Sequence, residues 1–146
     1  MRFVILCTMV VSVLAMPAPP ALAQTGATLP AAGTSLGSVT LTKKVLADGQ
    51  PLAPGTYQVR LSGDDVKPAA GQTPDAERYV EFLKGGKVVG REMATIVTSA
   101  DIAEVGKGLK PVTGGARVEL LKGNDYLRVW INRSGLNYII HLPVGA

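Results

Sequence analysis

From Ser38 onward the chain consists of short runs in which apolar and polar residues tend to alternate, cut apart by Gly, Pro, Asn and Asp. A period of two places every second side chain on one face of a strand, so these runs predict strands over 38–47, 50–53, 56–61, 77–84, 87–97, 116–122, 125–132 and 136–142. No stretch carries an apolar stripe at the helical period of 3.6. The one exception is a single turn near Asp101–Val105, where Asp101 and Glu104 have capping-box spacing and Gly106 is placed to end it. The fold class is therefore all-β.

In the C-terminal third the pattern is regular enough to argue register, because a slip of one residue moves every side chain to the other face. With Gly123-Asn124 as a two-residue type II′ loop, Leu121 opposes Tyr126, Leu120 opposes Leu127, Glu119 opposes Arg128 and Val118 opposes Val129. With Arg133-Ser134 as the next loop, Ile131 opposes Leu136, Trp130 opposes Asn137 and Val129 opposes Tyr138. One face of this meander then reads Val118, Leu120, Leu127, Val129, Ile131, Leu136, Tyr138 and Ile140, which is a core face. The other holds Glu119 opposite Arg128, and Arg117 opposite Trp130 in cation–π geometry. Aromatic and Arg residues favour binding hot spots, so Arg117, Tyr126, Arg128, Trp130, Ile139 and His141 form the candidate partner-binding face. The alternative is that a second sheet or the N-terminal leader covers it.

Turn residues organise the rest. Asp48-Gly49 suits a type I′ hairpin pairing Val45 with Leu52, and Pro51, which cannot donate to a ladder, suits a short edge segment. Pro54-Gly55 suits a type II turn that sends Tyr57, Val59 and Leu61 to one face and Thr56, Gln58 and Arg60 to the other. Gly85-Gly86 suits a type I′ turn pairing Phe82 with Val89 and Val80 with Arg91, with Gly90 marking a bulge. Two connections, 62–76 and 98–115, exceed ordinary loop length, so each is functional or mobile.

The N-terminus adds a compartment. Arg2, the uncharged apolar run Phe3–Met16, the prolines at 17, 19 and 20, and Ala21-Leu22-Ala23 have the order of a secretory signal peptide cleaved after Ala23. The apolar run is too short for a mature membrane span. Cys7 sits inside it after Leu6, where a lipobox needs a small residue. The expected organisation is a signal peptide over 1–23, a flexible leader over 24–37 and one β-domain over 38–146, exported to the periplasm or medium, with no stable membrane span after cleavage. The single cysteine leaves with the signal, so neither a disulfide nor a thiolate is expected in the mature chain. Loss of Arg2 takes the net charge from +4 to +3, spread without a basic stripe, which argues against nucleic acid and leaves only nonspecific adhesion to anionic envelope polymers.

Little chemistry is legible. Gly33-Thr34-Ser35-Leu36-Gly37 matches G-x-S-x-G in form but lacks the strand before it and the helix after it that a nucleophile elbow needs. His141 is the only histidine, which with no mature cysteine rules out the usual zinc sets. Asp64, Asp65, Asp75 and Glu77 miss the spacing of a calcium loop, and Lys67 intrudes among them. Asn132-Arg133-Ser134 is a glycosylation sequon in form and reads as turn chemistry. No catalytic, metal-ligating or cofactor-binding residue is assigned, and no cofactor is expected.

The phrases Gly49-Gln50-Pro51-Leu52 and Pro54-Gly55-Thr56-Tyr57-Gln58-Val59 resemble the turns of secreted bacterial β-sandwich modules of the transthyretin-like or carboxypeptidase-regulatory-like type. The resemblance implies a single antiparallel β-sandwich, prealbumin-like or immunoglobulin-like, of about seven to eight strands, acting as an accessory or binding module. The leading expectation is thus an exported, non-enzymatic binding or structural module of the periplasm or cell envelope with a protein or envelope-polymer partner. The alternative is a carrier of small apolar ligands in a β-barrel or cleft, and a small hydrolase ranks below both. An exposed strand edge also offers a route to homo-association.

Overall fold

The computed structural model describes residues 29–64, 76–102, 111 and 113–145. These contain nine strands: β1 (Ser35–Leu41), β2 (Val45–Ala47), β3 (Gln50–Leu52), β4 (Gly55–Leu61), β5 (Glu77–Lys84), β6 (Lys87–Thr98), β7 (Ala116–Leu120), β8 (Tyr126–Arg133) and β9 (Leu136–Pro143). Seven form one antiparallel sheet in the order β1-β4-β5-β6-β9-β8-β7, and β2 with β3 forms a separate two-stranded sheet. The outermost strands β1 and β7 come close to each other, so the large sheet is nearly closed around its own inner face. Among the described residues no helix is long and apolar enough to cross a membrane. The expected signal peptide at 1–23, much of both long connections, and Glu104 to Gly106 of the expected helical turn lie outside the described residues.

Alternation decides what lies inside. In β4, Tyr57, Val59 and Leu61 are buried while Thr56 and Gln58 are exposed, as their spacing predicts. Val80 and Phe82 of β5, Ala94 of β6, Leu127, Val129 and Ile131 of β8, and Tyr138, Ile140 and Leu142 of β9 join them in one cluster. Tyr57 and Phe82 meet edge to face at 6.4 Å. Each such large side chain contributes about 1.5–3 kcal/mol on full burial, so this shared interior outweighs any single surface contact.

The run expected as one strand over 38–47 is two. Residues 42–44 interrupt it, so β1 pairs with β4 while β2 turns back onto β3 through Asp48 and Gly49, at φ 45° and 78°. That is the expected type I′ turn with the expected Val45–Leu52 pair. The hairpin does more than guard an edge: Val45, Ala47 and Leu52 are at most 1% exposed and belong to the main core. Gly90 of β6 makes room for it, since a Cβ there would lie 3.1 Å from Leu52 Cδ2 and 3.2 Å from Ala47 Cβ. The Asp48 N–H donates to Glu92 Oε2 at 2.8 Å, and Val45 bridges to Val144.

The sheet also begins earlier than the 24–37 leader implies. β1 opens at Ser35, Leu36 is buried, and Leu29 packs against the core. The Gly33 N–H donates to Leu61 O at 2.8 Å, and the Leu61 N–H donates to Thr34 O at 2.9 Å. The described part of the expected leader is thus bound to β4.

Two registers differ from expectation. In the β5–β6 hairpin Gly85-Gly86 turns as expected, but the ladder shifts at Phe82/Leu83, leaving Val89 as the extra residue. Phe82 therefore opposes Gly90 and Val80 opposes Glu92, one residue beyond the expected partners. In the C-terminal meander β7 and β8 pair as expected, although Gly123 and Asn124 both have positive φ, 98° and 62°, which a type II′ turn does not have. The next loop is Ser134-Gly135, at φ 52° and 77°, not Arg133-Ser134. Partners slide by two residues, so Trp130 opposes Ile139 and Ile131 opposes Tyr138. A slide of two leaves every side chain on its expected face.

Gly90→Val forces two methyls against Leu52 and Ala47, and overpacking of this kind costs about 1–3 kcal/mol. A urea titration is expected to show a lower midpoint for this variant, whereas Gly86→Ala, in an open exposed turn, is expected to report only the strain of its positive φ.

Candidate functional site

The outer face of β7, β8 and β9 carries all six expected residues. Arg117 opposes Trp130, which opposes Ile139, and Arg128 opposes His141, with Tyr126 two residues before Arg128 on the same side. Their accessibility divides them. Tyr126 is 46% exposed and His141 is exposed, whereas Trp130 is 0% and Ile139 4% exposed. Two of the six are therefore floor, not surface.

Trp130 and Ile139 are covered by Ile102, with Val97 packed beside them in a second, smaller core. The covering element is the turn that follows β6, in place of the second sheet or leader weighed from the sequence. Thr98 Oγ1 donates to Asp101 Oδ2 at 2.6 Å, and Ser99 Oγ donates to Gly135 O at 2.8 Å, which ties this turn to the β8–β9 loop. Beneath it, buried Asn137 accepts at Oδ1 from Trp130 Nε1 at 3.0 Å and from Asn132 Nδ2 at 2.9 Å. Its own Nδ2 donates to Val97 O at 3.4 Å. Asn137 thereby gives the indole N–H a partner out of reach of water.

The charges are largely paired. Arg128 Nε donates to Glu119 Oε1 at 2.6 Å, and its Nη2 bonds the same oxygen. The Arg128 guanidinium also lies 5.6 Å from the Trp130 ring centroid. The cation–π partner expected to be Arg117 is thus Arg128, two residues along the same strand and on the same face. Arg117 Nε stands 3.6 Å from Glu119 Oε2, an ion-pair distance too long for a hydrogen bond, and it has no hydrogen-bond partner. Partial desolvation first, and the Arg128 charge second, hold His141 below the ordinary imidazole pKa of 6.5. At neutral pH this face offers an exposed phenol, a neutral imidazole and the Arg117 cation, with Arg128 already neutralised.

A second polar cluster was not legible in the sequence. Arg91 pairs with Asp48 at 3.3 Å and Asp64 at 2.6 Å while lying 4.9 Å from the Tyr79 ring centroid. Arg60 pairs with Glu81 at 2.6 Å, opposite it in the ladder. These partners are far apart in the chain, and only the ladders of β4, β5 and β6 and the seating of the hairpin bring them together. Asp64, weighed above as a calcium ligand, is held by Arg91; Asp65 and Asp75 lie outside the described residues. Ser35 opens strand β1 opposite Arg60, so the G-x-S-x-G match does not sit between a strand and a helix.

With this geometry in view, comparison with known proteins adds no relative: no family model, no curated protein and no solved structure matches the chain.

Asn137→Ala strands the indole N–H and the Asn132 amide, and an unsatisfied buried polar group costs about 1–3 kcal/mol. Denaturant unfolding followed by the single tryptophan is expected to show that loss. His141 gives a pH dependence of defined sign. Its folded pKa is lowered, so below about pH 6.5 the unfolded chain takes up a proton that the folded chain resists. This contribution to stability is complete above pH 6.5 and is lost as pH falls through the lower folded value. Between pH 7.5 and 5, His141→Gln is expected to lose less stability than the wild type; equal slopes would exclude the effect.

Proposed function

We propose that the protein is an exported, non-enzymatic β-module of the periplasm or cell envelope that works by binding a partner through the outer face of β7–β9. The observation that carries this reading is a sheet face on which exposed Tyr126 and His141 and half-exposed Arg117 stand around a rigid, buried Trp130 floor. A preorganised floor lowers the entropy lost when a partner orders the side chains above it. Aromatic and Arg side chains are also the types that dominate binding energy in interfaces. The Arg117 cation, held only at ion-pair distance from Glu119, favours a partner that brings a carboxylate or another anionic group.

The nearly closed sheet favours a second reading, the carrier of a small apolar ligand, over a flat sandwich. In the first reading the two halves of the sheet act as the layers of a sandwich and the β2–β3 hairpin stops one end. In the second they act as the wall of a barrel.

A capture experiment from envelope extract tests the leading reading. The double variant Arg117→Ala/Tyr126→Ala is expected to weaken the captured partner's binding about tenfold or more, since truncating a hot spot costs about 2 kcal/mol or more. Val88→Ser/Val89→Ser, at the exposed β5–β6 turn, is expected to leave it unchanged. Ser35→Ala, at the G-x-S-x-G match, is expected to preserve the biological role. Capture that ignores the outer-face variant, or a role lost with Ser35→Ala while the fold is intact, would overturn the proposal.

A further inference from the structure

We propose that the inner face of the large sheet, at the end where β5 begins and β9 begins, contains a binding site for the carboxylate of a small aliphatic acid, formed by Arg78 and the Tyr138 hydroxyl. Val80 and Phe82 of β5 point inward and are fully buried. Arg78 lies in the same unbroken stretch of ladder, two residues before Val80, so alternation places it on the inner face, where the other strands present apolar residues. Its ladder partner is Ala94, and beyond Ala94 comes Ile140. On the other side β4 ends at Leu61, opposite Val80, and the Ser62 N–H that follows donates to Tyr79 O at 2.9 Å. The ladder neighbour of Arg78, Ala94, is small, which leaves lateral room for a long side chain on the β6 side.

Arg78 also differs from the four paired arginines. Arg60, Arg91, Arg117 and Arg128 each have a carboxylate oxygen within 4 Å, whereas among the described residues Arg78 has none. Tyr138 supplies the second, independent observation. It sits in the main core at 0% exposure, and its hydroxyl has no hydrogen-bond partner. Tyr57 shows the ordinary arrangement, its buried-side hydroxyl donating to Ala53 O at 2.7 Å. Phenylalanine at 138 would fill nearly the same volume without stranding a polar atom, so packing gives no account of the hydroxyl.

Burial raises the Tyr138 pKa and the charge of Arg78 opposes that rise, so the guanidinium field reaches this hydroxyl. The hydroxyl stays protonated at neutral pH and is a donor. A guanidinium fork and a phenol O–H match the acceptor oxygens of one carboxylate. Ile96, Ile131 and Ile140, which share this part of the inner face, suit an aliphatic remainder. The site is separate from the outer face, so failure of the Tyr126-dependent capture leaves it standing, and its failure leaves that reading standing.

The experiment is a titration of the purified protein, with its tyrosine rings labelled with carbon-13, by sodium octanoate, with octanol as the uncharged control. Octanoate is expected to shift the Tyr138 ring resonances saturably, and octanol is expected not to. Tyr138→Phe, assayed by competition, and Arg78→Gln are each expected to weaken octanoate about tenfold or more. Both are expected to keep the wild-type circular dichroism spectrum, with Tyr138→Phe at least as resistant to urea. A Tyr138 signal unmoved by octanoate, an equal response to octanol, or unchanged affinity in both variants overturns the proposal. So does a high-resolution crystal soaked in octanoate in which one ordered water alone satisfies the Tyr138 hydroxyl.

Discussion

Everything in this molecule depends on a strongly curled sheet burying its inner face. Seven antiparallel strands bring β1 and β7 close together, and the side chains between them form a single apolar cluster. A curled sheet still has open ends. The β2–β3 hairpin contributes Val45, Ala47 and Leu52 to the interior from outside the sheet, and it fits because β6 has no side chain at Gly90. Closing with a short hairpin is efficient for a domain of this size, since the interior gains three buried residues for one two-residue turn. Glu92 then receives the Asp48 N–H, and Arg91 receives the Asp48 carboxylate, so the turn is held from both sides.

The outer face follows a different logic. Trp130 is too large to leave exposed on a solvated sheet and carries an N–H that needs a partner once it is buried. Ile102 covers the ring, and Asn137, itself 1% exposed, satisfies the N–H. Around this small second core stand the groups that a partner can reach. Glu119 divides itself unequally between two arginines, bonding Arg128 and leaving Arg117 at 3.6 Å. The surface is thus rigid beneath and adjustable at one cation.

Much of the local structure was legible in the chain. Asp48-Gly49 and Gly85-Gly86 each form the two-residue turns that their glycines favour, and β4 alternates as its sequence reads. The second hairpin loop of the meander was misplaced by one residue, yet every side chain kept its face, because a two-residue slide preserves a period of two. What resisted reading is non-local. The break at 42–44 occurs because β1 runs along β4 while β2 must turn across the end of the sheet, and within the run from Ser38 to Ala47 only the polar Thr42-Lys43-Lys44, which puts Lys43 at an inward position, marks it. Leu29 and Leu36 pack inward from a segment whose small polar composition reads as a tail.

The sequence by itself determined the class of fold, the turns and which residues of each strand share a face, because those follow from alternation and from backbone preferences acting over two to four residues. Only the tertiary structure decided that the sheet nearly closes and that a hairpin stops it. It also decided that Trp130 is floor where Tyr126 is surface, and that Arg128, not Arg117, lies over the indole. Each of these depends on contacts between segments tens of residues apart, where burial of a whole surface outweighs what any short stretch prefers.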